Sequence, residues 1–206
     1  SPVNRSRVHV LRAASAVVSA LLAVLASTPA GACLAGAGGA LDCSLGLSFA
    51  EITDRPTAGR DGWRAGGVID ESASPGLLER VAAGGASVAF GAGAVGGSFA
   101  ATDTIEFAPA DCVRSGAAGG RLRCANDSGK LVFSPDGSAS LRKIGVSAKR
   151  RSFALPVIAS LPLAVVLTAN DGAAHGDTVF PCNASATGAK ISCRNTDPDK
   201  IGRAHV

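Results

Sequence analysis

There is no methionine and no tyrosine in these 206 residues, only one tryptophan, and three histidines. Each scarcity removes a class of function. Zinc centres need four ligands, usually clustered at short spacing, and His175 is the one histidine outside the two ends of the chain. Catalysis by a Ser-His-Asp group would have to use that same residue. No G-x-S-x-G elbow accompanies it, and the Asn170–Asp177 segment reads as an exposed polar turn. Without tyrosine, a sugar-stacking platform would fall to Trp63, although a sole tryptophan in a small module is usually its core anchor. No sign of charge dominates either. Removing Arg5, Arg7, Arg12, Lys200 and Arg203 (terminal residues treated below) from the 20 basic residues leaves 15 against 16 acids. A near-neutral mature chain gives no reason to expect nucleic acid as a partner.

Long apolar runs are also rare, and the one candidate is at the start. Arg5, Arg7 and Arg12 precede an apolar stretch from Ala13 to Ala26, Pro29 breaks it, and Ala30-Gly31-Ala32 supplies the small residues signal peptidase reads. A span would need about 20 apolar residues. Residues 1–32 are therefore expected to be a signal peptide with a helical apolar segment. Cys33, then the first mature residue, raises a lipid-anchored alternative. Ala30 stands where such a box usually carries leucine, and lipid on Cys33 would leave Cys43 unpaired, so the disulfide is preferred. At the other end, Ile201-Gly202-Arg203-Ala204-His205-Val206 is the translation of a common short-read sequencing adapter, with Lys200 absorbing its first bases. Residues 200–206 are read as an artefact of a bacterial metagenomic fragment, and the natural chain is expected to continue past Asp199.

What the chain does have is six cysteines at three similar intervals: Cys33/Cys43, Cys112/Cys124 and Cys182/Cys193. The second and third sit in a repeated phrase. Asp103-Thr104-Ile105, Phe107, Pro109, Cys112 and Gly120-Arg121-Leu122-Arg123-Cys124-Ala125-Asn126 are answered by Asp177-Thr178-Val179-Phe180-Pro181-Cys182 and Gly188-Ala189-Lys190-Ile191-Ser192-Cys193-Arg194-Asn195. Local cysteine pairs around a glycine, in an exported chain, predict disulfides closing antiparallel hairpins. The repeat predicts duplicated units, a first module over residues 33–124 and a second over 125–199.

Strand signals fill both. Leu141–Lys149 alternates, with Ile144, Val146 and Ala148 on one face and Lys143, Ser147 and Lys149 on the other. Leu163–Leu167 is continuously apolar, as a central strand requires. Asp136-Gly137 and Asp171-Gly172 are hairpin turns. Pro75–Ala83 predicts one short helix capped by Ser74. Gly91–Gly96 matches G-x-G-x-x-G, but no helical pattern follows to face a pyrophosphate, so it reads as a glycine-rich loop.

The expected fold is all-β: two small antiparallel β-sandwich-like repeat modules after the signal helix. The expected function is non-enzymatic: a secreted or surface-attached, disulfide-pinned structural, adhesion or scaffold protein. The alternative is a pair of non-catalytic accessory modules, including carbohydrate-binding ones, of a truncated secreted enzyme. Candidate ligand-binding residues are Trp63 and the basic cluster Arg142, Lys143, Lys149, Arg150 and Arg151. The expected partner is an envelope polysaccharide or another surface protein. No cofactor or metal is expected, and membrane contact only through the signal segment or a lipid on Cys33.

Overall fold

The computed structural model describes residues 35–36, 39–40, 44–93, 99–152 and 162–195. The expected signal segment, the 200–206 tail and the Cys33/Cys43 pair all fall outside these. A two-residue ribbon, β1 (Ala35–Gly36) with β2 (Gly39–Ala40), comes first. Twelve further strands follow: β3 (Leu45–Thr53), β4 (Asp61–Asp70), β5 (Ala86–Gly93), β6 (Phe99–Phe107), β7 (Cys112–Ser115), β8 (Arg121–Ala125), β9 (Gly129–Pro135), β10 (Leu141–Arg151), β11 (Leu163–Ala169), β12 (Ala174–Val179), β13 (Cys182–Ala184) and β14 (Lys190–Arg194). They form two antiparallel sheets. The larger runs β13-β14-β3-β4-β10-β9-β8-β7, the smaller β12-β11-β5-β6.

One buried apolar cluster joins the sheets. Ile52, Trp63, Ile69, Phe133 and Ile144 enter it from the large sheet, Val88, Phe90, Ile105, Leu163 and Leu167 from the small one. Trp63 stacks on Phe90 with ring centroids 4.6 Å apart, an arrangement that contributes about 0.5–1.5 kcal/mol beyond the area buried. The pattern of β10 holds, with Ile144, Val146 and Ala148 buried. In β11, Leu163, Ala164 and Val165 are all buried, as expected of a strand flanked by β5 and β12. The helix, α1 (Leu77–Gly84), starts two residues later than expected. Ser74 accepts the Leu77 N–H through its carbonyl, and Gly76, at φ 72°, stands at the cap.

The expected pair of separate modules is corrected by the strand order. The expected 124/125 boundary cuts off the last residue of β8, and the halves on either side of it interleave. β14 of the second half pairs with β3 of the first, and β8 of the first with β9 of the second. The registers match across the halves. Ile52 lies between Ile191 and Trp63, and Phe133 between Leu122 and Ile144. Asp103 faces Phe90 as Asp177 faces Val165, while Phe90 and Val165 face each other. Strands β3–β8 and β9–β14 thus hold matching places about an axis through the Ala65–Val146 pair. The physical reason for interleaving is surface area: about 80 residues close only a marginal core alone, and pooling two gives one larger core.

Candidate anion-binding groove

The two longest strands of the large sheet, β4 and β10, pair regularly until Ala148, where β10 bulges. Lys149 and Arg150 stand against Gly62 alone before Arg151 rejoins opposite Asp61. Arg150 is the one described non-glycine residue with positive φ, at 59°. Gly62 permits the bulge, since a Cβ there would come within 2.8 Å of the Ala148 carbonyl oxygen. Bulges re-aim side chains. Here two consecutive cations are both directed to one end of the sheet's outer surface, instead of alternating across it.

Opposite the bulge is the loop 54–60, which carries Arg55 and Arg60. Buried Asp61 accepts the Arg55 N–H at 2.9 Å, and the Ser152 hydroxyl accepts the Gly59 N–H at 2.9 Å. Loop, bulge and the adjoining strand ends enclose a groove of about 660 Å³, lined by Arg55, Arg60, Arg64, Lys149, Arg150 and Lys190 together with Glu51 and Asp61. Arg64 and Lys190 are engaged by Glu51, at 2.7 and 3.4 Å. Arg55, Arg60, Lys149 and Arg150 have no ion-pair partner among the described residues.

Glu51 is one of the groove's two buried acids. Burial pushes its pKa up, but the Arg64 hydrogen bond and charge, with Lys190 and Ser192, outweigh that and hold it below the ordinary 4.5. The carboxylate therefore stays ionised and keeps Arg64 in place, with the guanidinium 5.8 Å from the centre of the Phe49 ring.

The sequence-predicted sites separate in space. Of the five-residue basic cluster, only Lys149 and Arg150 reach the groove. Arg142 pairs with Glu71 at 3.0 Å and Lys143 with Asp136 at 2.9 Å. Arg151 grips Asp103 and donates to the Thr104 carbonyl at 2.9 Å, covering part of the free edge of β6. Trp63 is not an exposed platform. It is 2% exposed, one face is occupied by Phe90, and its indole N–H donates to Asp103 at 2.7 Å. Sequence reasoning passed over Arg55, Arg60 and Lys190. The signal available was the symmetric run Asp54-Arg55 and Arg60-Asp61 around a four-residue turn.

His175 is also corrected. It lies in β12, 1% exposed, with Ser44 Oγ 2.9 Å from Nδ1 and Ser74 Oγ 3.4 Å from Nε2. The exposed turn ends at Ala173, so His175 already belongs to the strand that follows it. Gly91–Gly93 belong to β5, and a Cβ on Gly91 would lie 2.0 Å from the Ala100 carbonyl, so close strand approach explains that glycine. Both expected disulfides with described cysteines are present: Cys112–Cys124 closes β7–β8 and Cys182–Cys193 closes β13–β14, each pair directly opposite in register. Such bonds suit an oxidising compartment. Among the described residues no helix is long and apolar enough to cross a membrane, and no group of three or more His, Cys, Asp or Glu is placed to hold a metal.

Comparison with known protein families, with curated proteins and with solved structures finds no match.

Proposed function

We propose that this is a secreted or surface-attached binding module, non-catalytic, whose groove grips an anionic polymer of the cell envelope in an adhesion or scaffold role. The observation that carries the reading is the set of four cations without acid partners among the described residues, two of them aimed by a bulge with a left-handed arginine. Backbone strain of that kind persists where surrounding structure enforces it, and it clusters at binding sites. Arginine forks suit carboxylate and phosphate oxygens alike. The disulfide-stapled ends of the sheet fit an exported protein.

The same reading treats the fold as a β-sandwich built by internal duplication, in which each half lends its disulfide hairpin to the other's side of the large sheet. The groove lies where the halves differ. The β3–β4 loop with Arg55 and Arg60 answers a turn over residues 136–140 that contains no cation, and Gly62 answers Lys143.

A binding isotherm tests this. The full chain should bind digalacturonate or inorganic pyrophosphate, weakening as salt rises, and Arg60→Glu with Arg150→Gly should lower affinity about tenfold or more while leaving the fold intact. Equal binding by wild type and variant would reject the groove. The accessory-module alternative is favoured instead if the natural chain encodes a catalytic domain beyond Asp199.

A further inference from the structure

The groove is one end of a longer surface. Strand pairing aligns two neighbouring rows on the outer face of the large sheet. One row reads Arg194, Phe49, Gly66, Gly145, Val132, Arg123 across β14, β3, β4, β10, β9 and β8. The next reads Ser192, Glu51, Arg64, Ser147, Lys130. Arg64, Arg123, Lys130 and Arg194 are exposed. The one acid in the two rows is Glu51, already surrounded by Arg64, Lys190 and Arg194. A chain with nearly balanced charge has therefore placed a stripe of one sign on one face.

The middle of the stripe has almost no side chains. The Phe49 ring lies over Gly66, where a Cβ would come within 2.7 Å of it. Above Gly145 a Cβ would meet nothing within 4 Å, so the backbone there floors an open trough. Half-buried Val132 flanks it on β9, and the half-buried Phe49 ring covers the Gly66 side on β4. Six strands at about 4.8 Å spacing make this row about 24 Å long, with cations at both ends and alongside. A floor of the Phe49 ring and the bare backbone at Gly145, bordered by guanidinium and ammonium groups, matches a ligand with flat apolar faces and regularly spaced carboxylates.

We infer that the outer face of the large sheet binds a linear acidic polysaccharide laid across the strands, its sugar rings over the Phe49 ring and Gly145 and its carboxylates paired with Arg64, Arg123, Lys130 and Arg194. The inference rests on the groove reading for its anchored end and extends it by naming the ligand class and path. Rings stacked over a backbone floor favour a uronate polymer over a phosphate chain, which has no apolar face to place there.

The experiment compares digalacturonate with octagalacturonate on the full chain, with polyphosphate and single-stranded DNA as competing polyanions. Two exposed far-end substitutions, Arg123→Glu with Lys130→Glu, should weaken octagalacturonate about ten- to thirtyfold and flatten its salt dependence, yet leave digalacturonate unchanged. Arg60→Glu with Arg150→Gly should weaken both. Octagalacturonate affinity indifferent to the far-end pair overturns the track and leaves the groove standing. Polyphosphate or DNA binding tighter than octagalacturonate overturns the uronate assignment. Failure of wild type to bind either uronate overturns the track, and failure to bind pyrophosphate as well overturns the groove.

Discussion

Glu51 shows how much the outer surface depends on single contacts. It is 5% exposed, accepts from Arg64 and Ser192, and faces Lys190 and Arg194. Its folded pKa lies below the ordinary 4.5, so its stabilising contribution is complete above that value and is lost as pH falls through the lower folded value. Glu51→Gln should destabilise the protein by about 1–3 kcal/mol at pH 7 and remove part of the acid slope. Urea denaturation at pH 7, 4.5 and 3 checks this, since wild type and variant should converge at the lowest pH. Parallel curves would mean the carboxylate is not linked to folding. Asp103 has a comparable position in the interior, joining Trp63 to Arg151. The anchored Arg151 ends the bulge that presents Lys149 and Arg150, so the core side of β10 positions its outer side.

At the scale of elements, the bulge and the two disulfide hairpins do different work. The bulge is a local aiming device that requires glycine on the facing strand. Gly62→Ala would force the Ala148 carbonyl away, at about 1–3 kcal/mol, and should weaken anion binding more than a stability-matched core substitution elsewhere. Titration of pyrophosphate against both variants separates the two effects. The hairpins, by contrast, staple the outermost strands of the large sheet. Each closes a short loop, with cysteines 12 and 11 residues apart, for which chain entropy gives about 3 kcal/mol. Replacing Cys182 and Cys193 by alanine should therefore lower stability by about that amount, as should the Cys112 and Cys124 pair. Denaturant midpoints of the two double variants, which should agree closely, check whether the hairpins are equivalent.

Interleaving governs the whole molecule. β8 and β9 are joined through Asn126, whose N–H donates to the Gly129 carbonyl, much as the Asn195 N–H donates to the Ser48 carbonyl at the end of β14. Cutting the folded chain at a protease site introduced into the Asn126–Ser128 turn should leave two fragments bound to each other. They share the β4–β10 and β5–β11 pairings as well as the exchanged hairpins. Native mass spectrometry should report one complex, and its denaturant midpoint should rise with protein concentration. Separation into two folded monomers would restore the independent modules predicted from the repeat.

The sequence by itself determined the antiparallel β character and the two hairpin disulfides. Periodicity, turn residues and a repeated phrase are local properties, and antiparallel neighbours obey them: Ile144, Val146 and Ala148 face inward, and Cys112 meets Cys124. Tertiary structure decided which strand lies beside which, and with it the site. Lys143, Lys149 and Arg151 are neighbours along the chain, yet one pairs with Asp136, one lines the groove and one holds Asp103. Arg194 and Arg123 lie far apart in sequence, yet register aligns them in one row. Burial of His175 was likewise settled by what packs over β12, because a side chain's solvent exposure depends on its tertiary neighbours, and no local pattern encodes that.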